Sequence, residues 1–364
     1  MRLADLIRGA GEWLREGGPM HDVVISSRVR LARNLAGTPF LTRCGATQRA
    51  DIELRLREQI LQARPAADLF YVDVAAACDI DRQLLVERHL ISRQHAMGLE
   101  PNAKNTGKKP ANTARGVAVG GGETLAIMVN EEDHLRIQVL RSGLQLEQAF
   151  EDIARADALL EERLDFAYHE RYGYLTACPT NVGTGLRVSV MLHLPALKMT
   201  GEIEKVFRAA RDMHLAVRGL YGEGTEASGD FFQVSNQTTL GCSESQIVEE
   251  FRDRILPAFI EYEKRARASL LVKNRVAVED KVSRGMAILR SARLITSEET
   301  MYLLSLVRLG LNEGFLDGVD SRTLNELFLL CQPAHLQRIL GQEMTPQARS
   351  QARADYIRKR LGTL

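Results

Sequence analysis

The sequence predicts an α+β protein: an antiparallel sheet flanked by helices, followed by an all-helical C-terminal part. Three observations carry that expectation. Apolar residues alternate at period two over 124–130, 134–140 and 186–194, the last reading "LRVSVMLHL", as strands with one buried face do. Helical periods run over 145–165 and 200–215, beside those strands. After about Leu270 no strand pattern recurs.

The elements follow in order. "MRLADLIRGAGEWLREGG" mixes charged and apolar residues on a helical period and reads as an amphipathic helix; a secretory signal needs an uninterrupted apolar stretch. "DVVISSRVRLARN" reads as a short strand running into a basic segment. A helix over 47–63 puts Ile52, Leu56 and Ile60 on one face, "LFYVDV" (69–74) is a strand, and 80–91 is another helix. Residues 98–122, rich in Gly, Pro, Asn and Lys, read as a mobile loop or insertion. A long helical stretch starts near Ser243, and 273–364 is helical throughout, with Thr296-Ser297-Glu298-Glu299 as a start signal and "GFLDGVD" as a break. The expected division is an α+β part over 1–265 and a helical part over 266–364.

With 364 residues, 45% of them hydrophobic, the chain can bury a sizeable core. Lys plus Arg number 48 and Asp plus Glu 47, a net charge of +1, so no global field recruits nucleic acid or membrane. Five dispersed cysteines, none in a C-x-x-C pair, point to a reducing compartment and away from disulfides or structural zinc. No run of about 18 apolar residues occurs. These features predict a cytoplasmic protein.

"VNEEDHLRIQ" (129–138) packs Glu131, Glu132 and Asp133 together between alternating apolar residues. Mutually repelling carboxylates at a strand end call for a cationic partner. Arginines recur in similar settings. Arg28 and Arg30 lie two apart, Arg136 follows the acidic cluster, Arg187 opens a strand after a Gly-rich turn, and Arg218 opens "RGLYGEGTE", which also carries Glu223. The guanidinium grips phosphate as a planar fork, so five convergent arginines suit a triphosphate with its Mg²⁺. Taken singly, each is more ordinarily a surface arginine in a weak ion pair. Glu132 and Glu223 are likewise ordinary loop acids, His89 a helix histidine and Cys178 a small buried residue. The P-loop, dinucleotide, zinc-protease and nucleophile-elbow signatures are absent.

Read together, "ISSRVRLARN", "VNEEDHLRIQ", "CPTNVGTGLRVSVMLHLP" and "VRGLYGEGTEASGDFFQVSN" resemble, in order, four segments of the phosphagen (guanidino) kinases, over about residues 25–240. Two departures point to a branch. Only about two dozen residues precede Ser26, where the small-molecule enzymes carry a helical domain, and the chain continues into a helical part those enzymes lack. That arrangement resembles the bacterial protein-arginine kinases. Residues 101–122 look like an insertion relative to that branch, with no role assigned.

The resemblance implies roles. Two carboxylates, Glu132 and Glu223, hold the substrate guanidinium, with Glu132 favoured as the base and Glu223 as the orienting partner. Glu131 and Asp133 support the turn or the water shell of the metal. The nucleotide falls to Ser26, Ser27, Arg28, Val29 and Arg30, to His89 near the adenine, to Arg136, to Arg187, Val188, Ser189, Val190 and Met191, and to Arg218, Gly219, Leu220, Tyr221, Gly222 and Glu223. ATP brings Mg²⁺, so no protein metal ligands are expected. Cys178 matches a reactive active-site cysteine. Near the C-terminus, Arg349, Arg353 and Ala354 match a phosphoarginine-binding motif in which Ser350 replaces an aspartate.

The implied activity is ATP-dependent phosphorylation of protein arginines in stress-linked quality control. Its implied partners are a zinc-binding activator, a Clp-type protease, a stress-gene repressor and a second copy in a homodimer, with no nucleic acid and no membrane. A free-arginine kinase and a phosphoarginine-binding adaptor with a decayed active site are the alternatives.

Overall fold

The computed structural model describes residues 3–98, 113–220 and 228–362. Eight strands form one wholly antiparallel sheet, in the order β2-β3-β4-β5-β1-β8-β10-β9. In chain order these are β1 (Val24–Arg33), β2 (Phe70–Asp73), β3 (Gly116–Gly120), β4 (Leu125–Val129), β5 (Leu135–Ser142), β8 (Leu186–His193), β9 (Leu215–Gly219) and β10 (Phe231–Asn236). A two-residue hairpin, β6 (Tyr168–His169) and β7 (Gly173–Tyr174), stands apart from it.

The helices before the C-terminal part are α1 (Ala46–Ala63), α2 (Asp79–Glu87), α3 (Arg93–Met97), α4 (Leu146–Glu161), α5 (Pro195–Met199), α6 (Ile203–Asp212) and α7 (Glu244–Glu250). A π-helical turn, Phe251–Ile255, joins α7 to α8 (Leu256–Ser291). Then come α9 (Ser297–Asn312), α10 (Ser321–Leu330), α11 (Pro333–Leu340) and α12 (Pro346–Arg360).

Register separates the two faces of the sheet. Val29 pairs with Val139 and Val188, and Leu31 with Ile137 and Leu186, so one face is continuous aliphatic surface. It buries against helices in the main core with Ile153 of α4 and Leu256 and Phe259 of α8. Truncating a residue there, such as Ile137→Ala, costs about 2–5 kcal/mol. On the other face Arg28 pairs with Ser189, Arg30 with Gln138 and Arg187, Ala32 with Arg136, and Gln233 with Arg218. Directly paired residues in an antiparallel sheet project to the same side. The arginines therefore share the face that the aliphatic core does not use.

The sequence reading needs four corrections. The N-terminal segment is not one amphipathic helix but two 3₁₀ turns, Leu3–Arg8 and Glu12–Leu14, separated by Gly9 and Gly11, which weaken a continuous helix. The stretch 98–122 is not all loop, because it contains β3, buried along its length. Gly116 is required there: a Cβ would sit 2.1 Å from the Tyr71 hydroxyl of the adjoining strand. The strand in "DVVISSRVRLARN" is ten residues long and central rather than short. The helix read over 80–91 stops at Glu87, with His89 in the left-handed region at φ 59°.

Two signals in the C-terminal part hold. Thr296 caps α9 by accepting the Glu299 amide, and "GFLDGVD" breaks α9 from α10 with Gly314 and Gly318 at positive φ. α8 runs through 265 and 266 without interruption, and its one non-helical residue is Asn274. A second core joins the sheet to the C-terminal helices, bringing Ile25, Met191 and Phe231 against Leu304, Leu327 and Phe328.

Candidate active site

The arginines come from four strands and converge. Burial, together with the neighbouring guanidinium groups of Arg136, Arg187 and Arg218, pulls Arg28 down to about 9. Burial, with Arg187 and Arg218, does the same to Arg136, also to about 9. Like charges gathered in a partly dry pocket are unstable together unless an anion joins them. The Nε of Arg136 is buried and has no hydrogen-bond partner among the described residues.

The acidic segment is built around this cluster. Glu131 accepts from Arg136 Nη1 at 2.7 Å, from the Ser92 hydroxyl at 2.5 Å and from the backbone N–H of Glu132 at 3.0 Å. Burial raises its pKa against those bonds. Asp133 accepts from Asn34 Nδ2 and from the Ala177 amide, both at 2.6 Å, and burial pushes it up to about 6. Asn34 in turn accepts the His134 amide at 2.9 Å. Glu131 and Asp133 thus fix the turn on which half-buried Glu132 sits.

Asp133 also ties that turn to the segment carrying Cys178. The Cys178 thiol is half-buried, 3.0 Å from the Thr180 hydroxyl, and its carbonyl accepts from Thr176 Oγ1 at 2.8 Å. Thr239 anchors the following turn by donating to Thr180 and Val182.

His89 lies at the edge of the arginine cluster. Burial, then Arg28 and Arg93, lower it to about 3, and its ring meets Trp13 edge-on at 4.6 Å. Gln138, on the arginine face, holds the turn by donating to the His89 carbonyl at 2.7 Å. The two residues before His89 lock it to the rest of the molecule. Glu87 accepts the Ala334 and His335 amides at the start of α11 and pairs with His335 Nδ1 at 2.7 Å. Arg88 grips both oxygens of Glu123 at 2.6 Å.

Other expected site residues fall elsewhere. The side chains of Val29, Val188 and Val190 point into the main core, so what they bring to the site is the strand register. Ser27 is buried, donating to the Gly143 carbonyl and accepting the Gln145 amide, which fixes the turn between β5 and α4. Ser26, Ser189 and Met191 lie on the arginine face in register with Arg28. Gly219 ends β9, and Leu220 packs in the second core. Tyr221, Gly222 and Glu223 lie outside the described residues.

At the C-terminus Arg353 is buried, donating to the carbonyls of Cys331 at 2.8 Å and Ile295 at 3.0 Å. Arg349 is half-buried and donates to the Met344 carbonyl, while Ala354 is buried. Ser350 Oγ bonds the Pro346 carbonyl of its own helix. Among the described residues no group of three His, Cys, Asp or Glu could hold a metal ion, and no helix is long and apolar enough to cross a membrane.

This fold and site have clear relatives. Residues 52–266 match the ATP:guanido phosphotransferase C-terminal catalytic domain, and residues 275–364 match the protein-arginine kinase McsB C-terminal domain. The protein-arginine kinase of Symbiobacterium thermophilum is 47% identical over 97% of each chain, and that of Halothermothrix orenii 43% over 99% of each. The Bacillus subtilis protein-arginine kinase is 40% identical over 99% of this chain and 96% of its own. Among solved structures, lombricine kinase matches with a TM-score of 0.57 at 25% identity, covering 73% of this chain and 71% of its own. The duplicated taurocyamine kinase of Schistosoma mansoni matches with a TM-score of 0.56 at 26% identity, over 72% of this chain and 36% of its own.

The fold and the two-part match define an ATP-dependent phosphotransferase. The chain belongs to the ATP:guanido phosphotransferase family, in its protein-arginine kinase branch.

Proposed function

We propose that this enzyme moves the γ-phosphoryl group of ATP onto arginine side chains of proteins. The observation that carries the reading is the convergence of Arg28, Arg136, Arg187 and Arg218 on one sheet face, joined through Glu131 to the turn that presents Glu132. Arg30, in register with Arg187 on that face, completes the arginine set.

Phosphoryl transfer asks the protein for alignment and charge stabilisation. The arginines neutralise the phosphates and hold the γ-phosphorus in line with the acceptor. His89, whose ring meets Trp13, is assigned to the adenine end of the nucleotide. Mg²⁺ bound with the nucleotide would offset phosphate charge, and the Glu131 oxygens, already accepting from Ser92, Arg136 and the Glu132 amide, hold the turn beside it. Guanidinium is a poor nucleophile, with delocalised lone pairs and a pKa above about 12. Glu132 takes the proton of the terminal nitrogen as the N–P bond forms and the bond from phosphorus to the bridging oxygen breaks, releasing ADP. Glu223 orients the other edge of the guanidinium fork, and Cys178 tunes the same pocket.

The same reading supplies a setting. Phosphoarginine marks proteins for a Clp-type protease and controls a stress-gene repressor, a zinc-binding activator raises activity, and the enzyme works in the cytoplasm as a homodimer. Half-buried Arg349 is the phosphate contact of a regulatory phosphoarginine site in which Arg353 and Ala354 set the helix in place.

The test is acceptor choice. The purified chain is incubated with Mg-ATP and either free arginine or an unstructured arginine-rich protein, and phosphate is mapped by mass spectrometry without acid. Acid-labile phosphate on protein arginines with free arginine unreacted is the expected result. Transfer to free arginine alone makes this a small-molecule kinase, and transfer to neither leaves a binding adaptor.

A further inference from the structure

We propose that His335 of α11, in the C-terminal part, is a positioning residue for the nucleotide, acting through Glu87 and Arg88 on the turn that presents His89. The inference rests on the reading of His89 as the residue at the adenine end.

The turn is strained. His89 has φ 59°, and Glu123, which pairs with the preceding Arg88, has φ 77°. Residues with side chains keep such backbone angles only where their surroundings over-determine them, and they gather at functional sites. Two sets of bonds do that here. From the sheet, Gln138 donates to the carbonyls of His89 at 2.7 Å and Leu90 at 3.2 Å. The second set is a buried chain of polar groups, Glu87, His335, Arg88 and Glu123, none more than 8% exposed.

Arg88 fixes the state of the histidine. A guanidinium only donates, so His335 Nε2, 3.1 Å from Arg88 Nη1, is an acceptor. The ring is therefore neutral with its proton on Nδ1, which donates to Glu87 Oε2 at 2.7 Å. Burial lowers its pKa, in keeping with the neutral form. Glu87 also caps α11, accepting the Ala334 and His335 amides at 2.9 and 3.1 Å. Arg88 has two further anchors, both oxygens of Glu123 at 2.6 Å and the Gly9 carbonyl at 3.1 Å. The N-terminal segment passes close by. A Cβ on Gly11 would lie 3.1 Å from Glu123 Oε2 and 3.3 Å from the Trp13 ring, and that ring is the one that meets His89. Buried ion pairs add little stability over aliphatic packing. What this network supplies is one fixed geometry for the two residues that precede His89. The same segment ends at Ser92, which donates to Glu131 beside Arg136.

The experiment measures KM for ATP and for GTP, with an arginine-rich protein as acceptor, in wild type, His335→Ala and His335→Asn. The Asn amide can take the place of Nδ1 and donate to Glu87. The inference expects His335→Ala to raise the KM for ATP about tenfold, with kcat and the KM for GTP within about twofold of wild type. The preference for ATP over GTP shrinks accordingly, and His335→Asn recovers most of it. Glu87→Gln loosens the same link and carries the test if His335→Ala does not fold. An unchanged KM for ATP in His335→Ala and Glu87→Gln overturns the proposal. So does an equal loss with ATP and GTP that follows a lowered melting temperature, because that is a structural role alone. His89→Asn, which keeps the left-handed backbone and removes the ring, runs alongside as a control. If it binds ATP like wild type, the reading of His89 has failed. If it weakens ATP binding while His335→Ala and Glu87→Gln are normal, only the positioning by α11 has failed.

Discussion

Glu131 and Arg136 form an ion pair of 2.7 Å, and the carboxylate oxygen that makes it also accepts the backbone amide of Glu132 at 3.0 Å. One buried atom therefore joins the phosphate-side arginines to the residue proposed to take the acceptor's proton. Burial makes the pair costly to break, since either charge left alone has no water to solvate it.

Glu131→Gln keeps the shape and removes the charge. Arg136 then faces Arg187 and Arg218 without a counter-ion, and the turn beneath Glu132 loosens. The expected result is a loss of about 10²-fold in kcat together with a weaker KM for ATP. Steady-state kinetics checks it, and a change in one parameter alone would contradict the shared role of Glu131.

Arg28 is squeezed among like charges in the ligand-free protein. Arg28→Ala should thus raise the melting temperature of the nucleotide-free enzyme by roughly 2 °C while abolishing most of the extra stability conferred by Mg-ADP. Thermal melts with and without nucleotide test this. A variant that is less stable without nucleotide, yet still stabilised by it, would contradict the account.

His95 gives a pH signature. Burial outweighs its 3.0 Å bond to the Gly116 carbonyl and holds the ring at about 3, against an ordinary value of 6.5. Between those values the unfolded chain binds the proton and the folded one does not. Stability therefore rises with pH through the window and is lost as pH falls below 6.5. Relative to His95→Gln, the wild type should lose up to about 1.4 kcal/mol more per pH unit between pH 6 and 4. Denaturant melts across that range check the slope; parallel curves would contradict it.

Cys178 sits on the segment that Asp133 ties to the acidic turn. Cys178→Ser should retain the fold and at least about a tenth of the activity, since no bond to the thiol is broken in the transfer. It should also resist peroxide inactivation, which consumes an accessible thiol. Residual activity after timed peroxide exposure is the readout.

Much of this was legible in the sequence, and the gaps have physical causes. Period two placed Arg28 and Arg30 on one face, and the acidic cluster after a strand signalled an unmet charge. The meeting of Arg28 with Arg187 and Arg218 depends on the strand order β1-β8-β10-β9, which is non-local. β9 and β10 are short and flank a Gly-rich stretch, so their alternation is too brief to stand out. β3 is five residues long and glycine-bounded, so its alternation of Val117 and Val119 is too brief to stand out beside the Gly-rich stretch that follows. Glu131 was read as a support for the turn or the metal's water shell. Its bonds to the Glu132 amide and Ser92 support the turn, and its pairing with Arg136 follows from the register of β5.

The most direct test of the central claim sets Glu132→Ala beside the wild type, with γ-labelled ATP and an unfolded arginine-rich protein. The account predicts unchanged ATP binding and a loss of at least about 10²-fold in label transferred to arginine. Transfer at the wild-type rate by Glu132→Ala would contradict it, and the proton would have to leave by another group.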